Sequence, residues 1–221
     1  MLDAEVSLLK VGLTGGIASG KSAVGEMLAS AGAHVVQADA IAHELMQPGQ
    51  PVYEEVVRRF GSGILNADAS VSRARLAEAA FGNPGAGVAS RIEELNRIVH
   101  PAVIKRQDEW MEEIGCREPG AVTVVEAALI LEAGAAERFD RLIVVTCRPE
   151  QRVARWAKRM KVGEECARAE VSRRMGAQLP DEKKIEAADY VIDNSGSLDE
   201  TRRQVNALFP QLRAAAAVMK P

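Results

Sequence analysis

Five short apolar runs, separated by longer stretches with helical patterning, dominate the distribution of hydrophobic and polar positions along the chain. Each run is nearly continuous in apolar residues and does not alternate with polar ones. Continuous runs are typical of strands that are covered on both faces, as in parallel α/β sheets. The pattern therefore predicts an α/β fold with strands in Ser7–Thr14, Ala33–Asp39, Ala121–Leu129, Arg141–Cys147 and Tyr190–Ser195.

Helical signals fill the segments between these runs. The stretch Ser22–Ala31 is rich in Ala, Leu and Met and ends before Gly32, a typical C-terminal stop. Near the other end of the chain, Ser197-Leu-Asp-Glu200 has the pattern of a capping box. It predicts a final helix that extends to about Ala216.

Two helical stretches are too long to be simple crossovers between strands. The first runs from Pro48 to about Gly115, with breaks at Gly61-Ser-Gly63 and Gly82-Asn-Pro-Gly85. The second runs from Pro149 to about Ala188 and is dense in Arg and Lys. We interpret both as insertions over the carboxyl ends of the strands, where ligands bind in open α/β folds.

The amino-acid composition and net charge argue against several classes of function. The chain has 221 residues, 47% of them hydrophobic, and a net charge of −3, so it lacks the basic surplus typical of nucleic-acid or anionic-membrane binding. Its three cysteines, Cys116, Cys147 and Cys166, are widely spaced, which favours reduced structural thiols over a disulfide or a zinc site. The N-terminal apolar run is too short for a membrane span. We expect a cytoplasmic protein, monomeric or a small homo-oligomer, without nucleic-acid or membrane partners.

A phosphate-binding loop follows the first predicted strand. Its sequence, Gly-Gly-Ile-Ala-Ser-Gly-Lys-Ser, matches G-x-x-x-x-G-K-[ST] between a strand and a helix. Backbone N–H groups and the helix N-terminus can bind phosphate oxygens there, Lys21 can reach the β- and γ-phosphates, and Ser22 can bind Mg²⁺. The predicted nucleotide-binding residues are Gly15, Gly16, Ile17, Ala18, Ser19, Gly20, Lys21, Ser22 and Ala23.

The loop indicates a nucleotide but not an activity, because switch GTPases, motors and small-molecule kinases share it. No Asn is followed by Lys, so the guanine-reading N-K-x-D is absent, and no apolar run clearly ends in Asp-Glu. A kinase fits better, because it must position an acceptor hydroxyl and needs an insertion and a closing lid. A nucleoside or nucleotide kinase, and a non-enzymatic switch that binds a protein partner, remain as alternatives.

Three residues are candidates for the acceptor side. Asp39 ends the second predicted strand and could accept a proton from a hydroxyl or hold Mg²⁺ through water, although it could equally cap the next helix. His100 precedes Pro101, which can kink or restart a helix, and such a histidine is often structural. Glu132 follows the third strand, at a turn or helix, and could be a solvated residue.

Arginines crowd the segment after the fourth predicted strand. Arg152, Arg155 and Arg159 are spaced so that they lie on one helical face. Such a face is commonly solvated. In a phosphate-binding fold it can instead belong to a lid that presents guanidinium groups to a transferring phosphoryl group.

Ordered motifs along nearly the whole chain resemble one family, the dephospho-coenzyme A kinases. The resemblance extends from about Lys10 to Asn206. Besides the phosphate loop it rests on VVQADAIAHELMQPG, RIVHP, VVEAALILE, RPEQRVARWAKR and QLPDEKKIEAADYVIDNSGS. The last segment matches the family pattern K-x-x-x-A-D-x-V-I-x-N-x-G and is the most discriminating.

The resemblance implies an adenylate-kinase-like P-loop NTPase fold with a five-stranded parallel sheet, a helical substrate-binding insertion and a small helical lid. It implies that ATP, with Mg²⁺, phosphorylates the ribose 3′-hydroxyl of dephospho-coenzyme A to give coenzyme A and ADP, the last step of coenzyme A synthesis. The corresponding domains would be a nucleotide-binding core in 1–47, 116–148 and 189–221, a coenzyme-binding insertion in 48–115 and a lid in 149–188.

Family roles transfer to the matching positions. Asp39 would be the general base, and Arg155 and Arg159 would be lid residues that stabilise the transferred charge. His100 would lie in the acceptor domain, and Asn194, after the last strand, would lie beside the adenine of ATP.

Four positions depart from the family pattern. Gln37 stands in place of the first acid of D-A-D, Ala128 in place of a proline, and Arg152 where glutamine is common. Ala18 stands where many members have glycine. A positive φ at an alanine would cost about 1 kcal/mol, so we expect an ordinary backbone conformation there.

Overall fold

The computed structural model describes residues 7–82 and 89–219. Its five strands form one sheet in the order β2-β3-β1-β4-β5, and every pairing is parallel. Each strand begins within one residue of its predicted start and ends within three residues of its predicted end. The strands are β1 (Leu8–Gly15), β2 (His34–Gln37), β3 (Ala121–Glu126), β4 (Arg141–Thr146) and β5 (Tyr190–Asp193).

The register of the sheet brings the ends of three strands together. Leu13 of β1 lies opposite Glu126, the last residue of β3, and Gly15 lies opposite Val145 of β4. The phosphate-binding loop therefore leaves the sheet between the carboxyl ends of β3 and β4.

Helices occupy most of the remaining described chain. They are α1 (Lys21–Ala31), α2 (Ala38–Leu45), α3 (Pro51–Phe60), α4 (Arg73–Phe81), α5 (Ile92–Arg117), α6 (Pro149–Met160), α7 (Glu164–Gly176), α8 (Asp181–Glu186) and α9 (Leu198–Val218), with short 3-10 turns at Ser62–Ile64 and Ala136–Arg138. None of those whose placement is described is both long enough and apolar enough to cross a membrane.

The predicted helix ends are reproduced closely. Gly32 caps α1 with φ 113°. Ser197 and Glu200 form the predicted capping box of α9: the Ser197 Oγ accepts from the Glu200 N–H, and the Glu200 carboxylate accepts from the Ser197 N–H. The breaks after α3 and α4 begin at Gly61 and Gly82, as predicted.

Two further predictions concern the first insertion. The rest of its second break, residues 83–85, lies outside the described residues. Pro101 does not restart a helix, because α5 continues through it from Ile92 to Arg117.

The main core lies between one face of the sheet and the helices α1 and α9. Each of these elements contributes fully buried aliphatic side chains to it, and burying one such side chain contributes about 1.5–3 kcal/mol. Examples are Val11 and Leu13 of β1, Val24 of α1, and Val205 and Leu212 of α9. This core holds β1 and α1, the two elements that flank the phosphate-binding loop.

Residue contacts divide the chain into two compact units. One contains the described residues of Met1–Gln37 and Met111–Pro221, and the other contains the described residues of Ala38–Trp110. The first unit holds the sheet, the phosphate-binding loop and α6 to α9, and the second holds α2 to α4 and most of α5. The predicted boundaries of core, insertion and lid stay predictions.

Candidate active site

The phosphate-binding loop passes directly from β1 into α1. Gly20 precedes the helix with φ 97°, a left-handed conformation that favours glycine. A Cβ built on Gly20 would overlap the side-chain amide of Asn194, so this position is also closed sterically. The Lys21 ammonium donates to the Gly15 carbonyl at 3.0 Å and to the Gly16 carbonyl at 3.2 Å. The lysine therefore lies over the turn that the glycines form.

The expected ordinary backbone at Ala18 is wrong. Its φ is 53°, in the left-handed region. Tertiary contacts hold this turn on both sides: the Ile17 N–H donates to Gln178 Oε1 at 3.2 Å, and Cys147 Sγ lies 3.8 Å from the Ala18 carbonyl oxygen. The turn therefore keeps its left-handed residue even without glycine, at a local cost of about 1–2 kcal/mol.

Cys147 is the buried thiol of this contact. Burial raises the pKa of Cys147 above its ordinary value, and the opposing effects of Arg152 and Arg155 are smaller. The side chain therefore acts as a neutral, weak donor toward the loop.

Glu126, to which the sequence assigned no role, lies beside the loop serine. Ser22 Oγ donates to Glu126 Oε1 at 2.8 Å. The other carboxylate oxygen, Oε2, is buried and has no hydrogen-bond partner among the described residues. The signal that could have revealed it is a single acid at the end of a buried strand adjacent to β1. Glu126 is followed by Ala127, so it does not belong to an Asp-Glu pair.

The arginines of α6 do not form one solvated face. Arg155 donates to the Ser19 carbonyl at 3.0 Å and to the Asn194 carbonyl at 2.8 Å. Arg159 is exposed and stacks with its Cζ 4.6 Å from the centroid of the Trp156 ring. Arg152 is only 1% exposed and forms an ion pair with Asp181. Their predicted lid roles remain untested by these contacts.

Asn194 is a buried connector at the end of β5. Its Nδ2 donates to the Ser19 carbonyl at 2.8 Å, and its Oδ1 accepts from Thr201 Oγ1 at 2.8 Å. The residue is 2% exposed. It ties the phosphate-binding loop to α9, and its contact with adenine stays a prediction.

An apolar cluster attaches the loop to α6 and α7. Ile17, at the tip of the loop, is buried together with Val153 and Trp156 of α6 and Ala167 and Val171 of α7. The loop is therefore packed against these helices as well as supported by β1 and α1.

The three acceptor-side candidates have different surroundings. Asp39 is exposed in the first turn of α2, where the helix dipole stabilises a carboxylate. His100 is exposed on α5. Glu132 lies in the turn after β3, as expected, and its Oε1 is 2.8 Å from the buried Lys184 ammonium and accepts from the Leu179 N–H at 3.0 Å. These contacts give Glu132 a structural role, and its predicted role on the acceptor side stays a prediction.

An open groove of about 550 Å³ lies at the carboxyl end of β5, next to the first turns of α6 and α9. It contains both cationic and anionic side chains and a stretch of accessible backbone. Its lining residues are Arg148, Asp193, Ser195, Gly196, Glu200, Arg203 and Gln204. The groove directly follows Asn194 in the chain.

Comparison with known proteins identifies the family of this chain. A family model described as dephospho-CoA kinase matches residues 9–200. The chain belongs to the dephospho-CoA kinase family. A relative named dephospho-CoA kinase from Leifsonia xyli subsp. xyli is 39% identical over 203 residues, which cover 92% of this chain and 98% of the relative.

Solved structures share the fold of this chain. The crystal structure of TT1252 from Thermus thermophilus is 32% identical, with a TM-score of 0.72, and the match covers 91% of this chain and 96% of that one. Dephospho-CoA kinase from Campylobacter jejuni, at 24% identity and a TM-score of 0.59 over 93% of this chain and 98% of that one, supports the fold alone. The predicted family and the predicted P-loop NTPase fold are confirmed.

Proposed function

We propose that this protein transfers the γ-phosphoryl group of ATP to the ribose 3′-hydroxyl of dephospho-coenzyme A, giving coenzyme A and ADP. The observation that carries the proposal is the Ser22–Glu126 pair beside a complete phosphate-binding loop, in a chain of the dephospho-CoA kinase family. A hydroxyl and a buried carboxylate beside a phosphate-binding loop are the groups that a Mg²⁺–nucleotide complex requires.

The nucleotide phosphates would bind to the N–H groups of the loop and to Lys21. The helix dipole of α1 adds positive potential at the same place. The adenine of ATP would occupy the groove beside Arg148, Ser195 and Gly196, where a guanidinium and backbone polar groups are available. Asn194 would hold the wall of the adenine site in place, because its side-chain amide is hydrogen-bonded to Ser19 and Thr201.

The side chains at the loop fit a magnesium ion. Ser22 offers a hydroxyl oxygen, and Glu126 offers a buried Oε2 that has no hydrogen-bond partner in the described part of the chain. Oxygen donors of this kind suit Mg²⁺, which commonly binds few protein ligands together with phosphate oxygens. When bound, the ion would neutralise charge on the β- and γ-phosphates.

The reaction needs a base and cations in addition to the loop. Asp39 would accept the proton of the ribose 3′-hydroxyl. At the same time the ribose oxygen would form a bond to the γ-phosphorus, and the bond from that phosphorus to the bridging oxygen of ADP would break. Arg159 would stabilise the charge of the transferred group, and Arg155 would hold the Ser19 and Asn194 carbonyls in place. His100 and Glu132 would contribute to binding of the acceptor.

A coupled assay of ADP release tests this proposal. Purified protein with ATP and Mg²⁺ should release ADP with dephospho-coenzyme A and should release little with a panel of nucleosides and nucleotides. The product should carry its new phosphate on the 3′-oxygen, which phosphorus NMR can assign. Turnover of a nucleoside in preference to dephospho-coenzyme A would favour the alternative kinase activity and would overturn the proposal.

A further inference from the structure

The second residue of the phosphate-binding loop lies directly against a buried arginine of α6. A Cβ built on Gly16 would overlap Arg152 Nη1 and would lie 2.9 Å from Arg152 Cζ. Gly16 is not among the residues with positive φ, so its backbone conformation would accept a side chain. A side chain at position 16 would therefore meet the guanidinium of Arg152 rather than backbone strain.

Arg152 is held in this place by a charged partner on another element. Its side chain is 1% exposed and is paired with Asp181, the first residue of α8. A further Arg152 contact, from Nη2 to the Cys147 carbonyl, is long at 3.5 Å. Because a buried guanidinium without its counter-ion is strongly destabilising, Asp181 fixes where the arginine lies.

The residues just before α8 contact the loop a second time. Gln178 Oε1 accepts a hydrogen bond from the Ile17 N–H at 3.2 Å. The segment 178–181 therefore restrains two consecutive loop residues, Ile17 directly and Gly16 through Arg152.

We propose that Arg152 is a positioning residue of the phosphate-binding loop. Held by Asp181, it fixes the backbone at Gly16 so that the loop N–H groups are already oriented for the phosphates of ATP. Arg152 acts through Gly16 and not on the nucleotide, since its side chain is 1% exposed. The inference rests on the loop being the ATP site. At position 152 the family resemblance leads one to expect glutamine in place of arginine.

A suppression experiment tests the contact itself. Gly16→Ala in the natural background should raise the Kd for ATP–Mg²⁺ by about tenfold or more, because the new methyl group displaces either the loop or the guanidinium. In an Arg152→Gln background, where the side chain is shorter, the same Gly16→Ala change should raise Kd by less than about threefold. An equal effect of Gly16→Ala in both backgrounds would overturn the proposal.

Steady-state kinetics separate positioning from a merely structural role. Arg152→Gln should raise KM for ATP by about fivefold to tenfold while KM for dephospho-coenzyme A and the melting temperature change little. Asp181→Asn should also raise KM for ATP, but it should lower the melting temperature as well, because it leaves the buried guanidinium without its counter-ion. The double variant should be no worse than the single ones. Arg168→Gln, at an exposed arginine of α7 paired with Glu164, is the matched control. A parallel change in both KM values of Arg152→Gln, together with a lower melting temperature of that variant, would overturn the proposal.

Two provisions keep the test decisive. If Arg152→Gln does not fold, Arg152→Met with and without Gly16→Ala replaces it, because a shorter, uncharged side chain should tolerate the methyl group. An effect of Gly16→Ala equal to that in the natural background would then count against the proposal. The Kd for ATP–Mg²⁺ is measured by equilibrium dialysis without acceptor. A natural protein that does not phosphorylate dephospho-coenzyme A would therefore overturn the proposed function without deciding the role of Arg152.

Discussion

Ser22 Oγ donates a hydrogen bond to Glu126 Oε1 at 2.8 Å, although the two residues are 104 positions apart in the chain. The loop serine and the last residue of β3 thus form one oxygen-rich site, with Glu126 Oε2 buried beside it.

Glu126→Gln should lower kcat by about 100-fold or more, because it removes the negative charge while retaining an oxygen that can accept from Ser22. The Mg²⁺ concentration that gives half-maximal rate should rise as well. A titration of initial rate against Mg²⁺ at saturating ATP measures both quantities. Glu112→Gln, at an exposed glutamate of α5, is the control and should behave like the natural protein. An unchanged Mg²⁺ dependence in the Glu126 variant would exclude this carboxylate from the metal site.

Asp39→Asn should lower kcat by about 10²- to 10⁴-fold, because the amide cannot accept the proton of the acceptor hydroxyl. The Kd for ATP should change little, since the proposed role of Asp39 is toward the acceptor. Single-turnover measurements together with ATP binding by calorimetry test both expectations. Asp199→Asn removes an exposed carboxylate of α9 that pairs with Arg202 on the same helix, and it serves for comparison. Near-normal turnover of the Asp39 variant would remove this residue from the role of base.

Ala18→Gly should raise the free energy of unfolding by about 0.5 kcal/mol, because glycine relieves a left-handed conformation that costs about 1–2 kcal/mol and loses part of that gain through its greater freedom in the unfolded chain. Ala214→Gly, at an exposed position inside α9, should lower the free energy of unfolding by about 1 kcal/mol. Urea denaturation of both variants gives the comparison. The two variants should change the free energy of unfolding in opposite directions. If Ala18→Gly lowers it as much as Ala214→Gly does, the backbone at Ala18 is not strained.

Glu170 links stability to pH within α7. The pKa of Glu170 is lowered from 4.5 to about 2, mainly by hydrogen bonds from Arg173. Burial is the next largest effect and raises the pKa, and the hydrogen bond from Arg174 adds to the lowering. Since the folded-state pKa lies below the unfolded one, the stabilisation is fully present above about pH 4.5 and is lost as the pH falls toward 2.

Glu170→Gln should therefore reduce the free energy of unfolding at pH 7, and its difference from the natural protein should shrink as the pH falls from about 4.5 toward 2. Chemical denaturation at a series of pH values measures this difference. Glu78→Gln, at an exposed glutamate of α4, controls for loss of a surface charge. A difference that stays constant across this pH range would show that the arginine pairs do not stabilise the folded chain.

Local sequence patterns were sufficient to predict the strands, the phosphate-binding loop and the start of the last helix. Continuous apolar runs predicted all five strands, because a strand covered on both faces leaves no polar period. The spacing of glycines before Lys21 and Ser22 predicted the loop, and the capping box at Ser197 predicted the start of α9. These signals depend on neighbours within a few residues, which is why they could be read without the fold.

The sequence by itself thus determined the α/β sheet, the phosphate-binding loop and the family of this protein. Only the tertiary structure decided that Glu126 meets Ser22, that Ala18 takes a left-handed conformation and that Arg152 is buried against Gly16. Each of these features depends on the packing of elements far apart in the chain, where register, burial and a distant partner outweigh the preference of the residue itself.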